Sequence, residues 1–178
     1  MKVIYYNMDI FSIALAMSDA GNTGLAVCIT TNGCTKKYYG TAVMGKGIAR
    51  QASFSFPEVP AILGQRLREG GNHAYLLETY ARGEKQVNML SFPTKNNWRQ
   101  PSDIELIRQS AKEIVAICDA CRITRCYLPA VGCGCGGLDW KRDVEPVLRE
   151  ILDDRFLAIV QPALVGMQDS RFMVTEQS

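Results

Sequence analysis

The sequence has one histidine among 178 residues, a net charge of only +2 and little that is out of the ordinary in bulk composition. Its longest apolar run near the N-terminus, Ile10 to Met17, is too short to span a bilayer. No charged stretch with a following cleavage site marks a signal peptide, so a cytoplasmic protein with no membrane partner is the default. The small net charge excludes a general basic field; any contact with a polyanion has to be local. His73 has no second histidine or paired acid near it in the sequence and is assigned no role. The seven cysteines are an odd number in a chain with a good apolar core, which argues against a disulfide framework. Cys118-x-x-Cys121 and Cys133-x-Cys135 offer four ligands for zinc on paper. The first pair falls within a helical pattern, not on a knuckle, so no metal is assigned and the thiols are read as reduced and structural.

What is present is an ordinary apolar fraction of 47% without repeats, low-complexity tracts or linkers. We therefore expect a single domain over residues 1–178, with a core of about residues 2–162 and a C-terminal tail of 163–178. Lys2 to Asn7, Leu25 to Thr31, His73 to Tyr80, Gln86 to Phe92, Arg125 to Ala130 and Phe156 to Gln161 read as strands. Arg82-Gly83-Glu84 reads as a turn, and the chain after Ser170 as a frayed end. Ile48 to Phe56 and Val59 to Arg68 read as helices split by prolines. A further helix begins at Ser102, where Ser102 and Glu105 suggest a capping box, and another near Asp143 with Pro146 in its first turn. Strands alternating with helices imply a sheet covered on both faces, with ligands bound beyond the carboxyl ends of its strands.

Two glycine clusters follow strands and precede helices. Gly40 to Gly47 is one; the other places four glycines within Gly132 to Gly137. Glycine lets main-chain N–H groups approach a ligand closely, and a helix start favours an anion, so a bridging diphosphate held from both sides is suggested. Neither cluster is a standard nucleotide motif. Gly40 to Lys46 satisfies a P-loop pattern, but Gly47 stands where a Ser or Thr must hold magnesium. Gly132-x-Gly134-x-x-Gly137 has the letters of a dinucleotide fingerprint, but the next strand closes with Val160-Gln161 and lacks the ribose-binding acid.

Three blocks, in order, carry a family resemblance. They are Asn32-Gly33 with Val43-Met44-Gly45-Lys46-Gly47-Ile48-Ala49; Ser91 to Arg99; and Leu128 to Gly134 continuing through Gly137-Leu138-Asp139-Trp140. With Asn7-Met8-Asp9-Ile10 before them, they resemble the macro-domain family, and within it the branch containing the DNA ADP-ribosyl glycohydrolase antitoxins. The resemblance implies a three-layer α/β/α macro-domain fold with a central mixed sheet, and ADP-ribose as ligand. It places adenine at Asp9 and Ile10, and the distal ribose at Asn32. Met44, Gly45, Lys46, Gly47 and Ile48 would line one side of the diphosphate; Val131, Gly132, Cys133, Gly134, Cys135, Gly136, Gly137 and Leu138 would line the other. Lys95 is the implied catalytic residue, because an ammonium in a partly desolvated cleft can serve as nucleophile or electrostatic stabiliser.

The residues also allow plainer roles. Asp9 could simply cap a turn, and Asn32-Gly33 is a strong turn dipeptide. Trp98 and Trp140 are core candidates first, although Trp98 beside Arg99 could stack on a base. Relatives that use a lysine on carboxylate esters carry an aspartate where Gly136 stands, which puts that substrate in doubt. An extra stretch, Cys34 to Tyr39, is either a lip for a polymer or a solvated loop. The expected activity is hydrolysis of a C1″ linkage of an ADP-ribose derivative, with a nucleic-acid base such as one in DNA as the leading substrate and no cofactor. An ADP-ribose 1″-phosphate phosphatase, a non-catalytic reader of ADP-ribose and a dinucleotide redox enzyme are the alternatives.

Overall fold

The computed structural model describes residues 1–6, 9–16, 24–82, 85–166 and 173–175. Seven strands form one sheet: β1 (Lys2–Tyr5), β2 (Leu25–Asn32), β3 (Leu76–Arg82), β4 (Lys85–Lys95), β5 (Arg125–Pro129), β6 (Phe156–Val160) and β7 (Met173–Thr175), in the order β3-β4-β2-β5-β6-β1-β7. The five central strands run parallel, while β3 and β7 are antiparallel edges. The mixed sheet is thus as expected. Of the expected N-terminal strand, Asn7 lies outside the described residues with Met8, as do Gly83 and Glu84 of the expected turn.

Alternation along the central strands assigns the two faces. Leu25, Val27 and Ile29 of β2 join Tyr127, Leu157 and Ile159 in one apolar cluster; Ala26 and Cys28 join Cys126, Leu128, Phe156 and Ala158 in the other. Successive side chains point to opposite faces, so strands buried on both sides are near-continuous in apolar residues. Helices α1 (Ile10–Ala16), α2 (Gly47–Ser55) and α3 (Val59–Gly70) cover the first face. Helices α4 (Ile104–Ala120) and α5 (Glu145–Ile151) cover the second, with the wholly buried Trp140 opening a π-helical turn, Trp140–Val144, that runs into α5. Three layers result. No helix among the described residues is long and apolar enough to cross a membrane.

Several elements depart from the sequence reading. The run from Ile10 is a short helix, α1, whose first turn is capped by Asp9: its carboxylate accepts from the Ser12 N–H at 3.0 Å and the Ser12 hydroxyl at 2.8 Å. Strand β3 begins at Leu76, not His73. The cap of α4 is Asp103, whose carboxylate accepts from the Glu105 N–H at 2.9 Å, and not Ser102. Ser102 is pulled out of that role because its own N–H donates to Gly136 O at 2.8 Å. Residues 173–175 of the expected frayed end pair with β1 instead.

Strand β4 continues past Phe92 to Lys95, and its pairing with β2 jumps from Thr31↔Pro93 to Asn32↔Lys95. Proline donates nothing to a ladder, and the extra residue, Thr94, makes a bulge that re-aims Lys95 at the strand end. Helix α3 touches the segment before α2 through Gly64. A Cβ there would overlap the Gly40 carbonyl oxygen and lie 2.8 Å from Thr41 Cα. Glycine is needed at Gly64 for packing, and replacing helical glycine by alanine elsewhere would gain helix stability. Gly64→Ala should therefore destabilise the protein by about 1–3 kcal/mol in denaturant titration; an unchanged or higher midpoint would show that the contact is looser than this.

Candidate functional site

Four parallel strands, β4, β2, β5 and β6, end on the same edge of the sheet and open onto one cleft of about 1110 Å³. Thr30 to Asn32, Thr94 and Lys95, Pro129 and Ala130, and Ile159 with Gln161 form its floor. This is where the carboxyl ends of an α/β sheet place a ligand. Gly45, Lys46, Gly47 and Ile48 line it from one side; Gly132, Cys133, Gly134, Cys135 and Gly136 line it from the other. Asp9 and Ile10 join them from the start of α1, as does Lys95.

The first loop runs into α2, whose N-cap, Lys46, makes no side-chain cap. The N–H groups of Gly45, Lys46, Gly47 and Ile48 have no acceptor among the described residues. An uncapped helix start with free N–H groups is a site for an anion. Gly45 is informative. Its φ lies outside the left-handed region, and a Cβ built on it meets nothing within 4 Å. The protein itself therefore has room for a side chain there, and the absence of one keeps the cleft open.

The second loop folds as a single 3-10 turn, Gly134–Gly136, ended by Gly137 in the left-handed conformation with φ of 80°. The N–H groups of Gly134 and Cys135 likewise have no acceptor among the described residues. A Cβ at Gly136 would overlap Ser102 Oγ and lie 3.0 Å from Ser102 Cβ. Position 136 is glycine for a steric reason, and an acid cannot stand there without displacing Ser102. Burial, with Asp139 and Asp143 nearby, pushes the Cys133 thiol up to about 12. It is a neutral thiol at physiological pH and no nucleophile.

Lys95 leaves the end of β4 and lies between the two halves of this loop system. Its Nζ donates to Gln100 O at 2.8 Å and to Cys135 O at 3.1 Å. An ammonium has three N–H groups, so one remains for a ligand. Asn32 is more committed: its Nδ2 donates to Val43 O at 2.8 Å, and its Oδ1 accepts from the Cys34 N–H at 3.0 Å. It ties the first loop to the end of β2 while lining the cleft. Two residues of the cleft wall, Thr31 and Ser102, carry buried hydroxyl oxygens with no hydrogen-bond partner among the described residues. Among the described residues the charged side chains on the wall are Lys46, Arg50, Lys95 and a single carboxylate, Asp9.

Four expected ligand-binding residues do not line the cleft. Met44 and Val131 are buried, in the cores on either side of the sheet, because the apolar side chain turns inward where its glycine neighbour turns outward. Gly137 is exposed beyond the 3-10 turn, and Leu138 borders a smaller hollow with Asn96, Pro101 and Asp103. The extra stretch Cys34 to Tyr39 forms a small hairpin, bridged at Thr35↔Ala42, outside the cleft lining. His73 does have an acid beside it: Nδ1 lies 2.6 Å from Glu113 Oε1. Burial opposes ionisation of Glu113, but the Ala74 N–H, the Gln109 amide and the His73 ring hold its carboxyl below the ordinary value. Among the described residues no group of three His, Cys, Asp or Glu could hold a metal ion. Cys118 of the first cysteine pair turns into the core, near Cys126, away from the cleft loop that carries the second.

The sequence reading passed over Arg50, Phe54 and Ser102 as wall residues, and favoured the core for Trp98 while allowing that it could stack on a base beside Arg99. Trp98 is instead half exposed and lines the cleft. Only its neighbours, Asn96-Asn97 and Arg99-Gln100, signalled a polar loop in which a tryptophan has no core to enter.

Comparison with known proteins bears on the family and the fold. Residues 31–147 match the family described as Macro domain. The chain is 32% identical over 113 residues to a protein of Thermus aquaticus named DNA ADP-ribosyl glycohydrolase, covering 62% of this chain and 31% of that one. It thus spans about a third of the length of the curated relatives it matches. The solved macrodomain of Mycobacterium tuberculosis DarG superposes with a TM-score of 0.67 at 25% identity, over 90% of this chain and 97% of that one. Thermosipho africanus DarTG in complex with ADP-ribose superposes with a TM-score of 0.63 at 24% identity, over 81% of this chain and 43% of that one.

The Lys95 bonds to two carbonyls make a prediction about loop order. Lys95→Ala should speed amide hydrogen exchange at Gly136, Gly137 and Gln100, whose N–H bonds close the two turns that Lys95 joins. Global stability should fall by less than about 1 kcal/mol, because both bonds are exposed. Unaltered exchange at these amides would show that Lys95 does not anchor the loops.

Proposed function

The chain belongs to the macro-domain family, and from that premise we propose that it binds ADP-ribose and hydrolyses a C1″ linkage of an ADP-ribose derivative. The observation that carries this reading is the pair of facing loops, each with free main-chain N–H groups, across one cleft at the ends of four parallel strands. A diphosphate fits between them. Its charge is met by N–H groups, the start of α2 and Lys46, with no carboxylate on the wall but Asp9 among the described residues. Gly45 supports the same reading, since its missing side chain serves the open cleft and not the fold.

Asp9, fixed by its capping bonds, accepts from the adenine amino group with a lone pair that the cap leaves unused, and Ile10 packs beside the base. Gly45 to Ile48 and Gly132 to Gly136 hold the diphosphate. Asn32 orients the first loop and offers its second amide hydrogen to the distal ribose. Lys95 acts at C1″. Its remaining N–H suits donation to the leaving group as the C1″ bond breaks; the oxygen of water takes the vacated place at C1″, and the departing group gains a proton of that water. This hydrolysis balances without a metal or redox group. Removal of ADP-ribose from carboxylate side chains by a lysine–aspartate pair is disfavoured, because Ser102 fills the space an aspartate at position 136 would need. The longer relatives are named DNA ADP-ribosyl glycohydrolase, which supports a nucleic-acid substrate, and we take a base as its leaving group.

Calorimetric titration with ADP-ribose should give a micromolar dissociation constant, about −8 kcal/mol; affinity weaker than millimolar would reject the reading. Gly45→Val should leave the unfolding midpoint nearly unchanged and weaken ADP-ribose by about tenfold or more, equivalent to about 1.4 kcal/mol. Lys95→Ala should cut turnover of an ADP-ribosylated oligonucleotide by a factor on the order of 10² or more while largely keeping ADP-ribose affinity. Retained turnover would remove Lys95 from the chemistry.

A further inference from the structure

The loop after Lys95 carries an aromatic surface that neither the fold nor the diphosphate site uses. Trp98 is 50% exposed, although tryptophan is costly to leave in water, and it lines the cleft. The loop that holds it is closed several times over. Lys95 Nζ donates to Gln100 O at 2.8 Å, the Gln100 N–H to Asn97 O at 3.0 Å, and the Arg99 N–H to Asn97 Oδ1 at 3.0 Å. Asn72 Nδ2 holds the base of the loop through Lys95 O at 3.1 Å and Asn96 Oδ1 at 2.9 Å. The Arg99 guanidinium lies over the indole, 4.8 Å from the ring centroid. The tryptophan is thus exposed by construction, on a braced turn three residues from Lys95.

We propose that Trp98 is a stacking platform for a nucleobase joined to C1″ of ADP-ribose, and so selects nucleic-acid substrates over carboxylate esters and phosphates. The inference rests on the reading of Lys95 as the residue at C1″. Whatever leaves C1″ must depart past the loop that Lys95 closes, and the side chain there is a flat ring. A base has a π-face to lay against it; a carboxylate or a phosphate has none. Arg99 stiffens the ring by its cation–π contact and adds positive charge where the phosphates flanking that base would run. Because these hydrogen bonds already fix the turn, little conformational entropy is lost on stacking.

The test uses the full chain, with an oligonucleotide carrying ADP-ribose on a base, a peptide carrying it on a carboxylate, and ADP-ribose 1″-phosphate. Wild type should cleave the oligonucleotide with the highest kcat/KM. Trp98→Ala should lower kcat/KM on the oligonucleotide by about 10-fold to 100-fold, the range of one base stack, mostly through KM. Trp98→Phe should restore most of it, and affinity for free ADP-ribose should hold within about twofold, below about 0.5 kcal/mol. An equal loss on all three substrates, no loss on the oligonucleotide, or no cleavage of it by wild type would overturn the inference while leaving ADP-ribose binding standing. Failure of wild type to bind ADP-ribose would overturn both.

Discussion

The hydrogen bond from the Ser102 N–H to the Gly136 carbonyl, 2.8 Å long, ties one wall of the cleft to the segment before α4. Ser102 lies between the end of β4 and the start of α4; Gly136 lies in the loop after β5. In the sheet β4 and β5 are not neighbours, because β2 lies between them. The bond therefore spans the end of a whole strand, and the bond from Lys95 Nζ to Cys135 O repeats the bridge one residue away. Glycine at position 136 lets Ser102 come this close, since any Cβ would collide with its hydroxyl. The loop is held by two main-chain carbonyls, and the N–H groups of Gly134 and Cys135 have no partner among the described residues. A main-chain turn tied by its oxygens presents its nitrogens, and nitrogens suit an anion.

The glycines of this protein divide by the reason for their presence. At Gly64 and Gly136 a side chain would strike the protein itself. At Gly45 it would strike nothing that is there. The first kind builds the site and the second kind is explained by what enters it. The same division separates the two hydrogen-bonding roles of Asn32 and Lys95. Asn32 spends its amide on Val43 and Cys34 and shapes a loop, whereas Lys95 spends two N–H groups on carbonyls and keeps one.

Much of this was legible in the residues. The strand pattern announced the central strands, Leu25 to Thr31 above all, whereas the face each side chain takes came from the structure. Glycine clusters between strand and helix patterns marked both loops. Elsewhere local pattern was overruled by distant contacts. The sequence Ser102-x-x-Glu105 has the form of a capping box, but Ser102 was claimed by Gly136, 34 positions on, and Asp103 caps in its place. His73 appeared solitary because its acid, Glu113, is 40 residues away. Met44 and Val131 fell inside glycine motifs, and motif membership says nothing about which residues of a loop face inward. For Trp98 residue type favoured the core over stacking beside Arg99, whereas a polar turn braced by asparagines leaves it no core to reach.

The central claim is that one ligand is clasped by both loops at once. The most direct measurement is the change in backbone amide chemical shifts as ADP-ribose is added to isotope-labelled protein. Gly45 to Ile48 and Gly134 to Gly136 should shift together, with the same saturation curve and with Asp9 and Ile10 moving in step. Shifts confined to one loop, or two loops saturating at different ligand concentrations, would contradict a shared diphosphate between them.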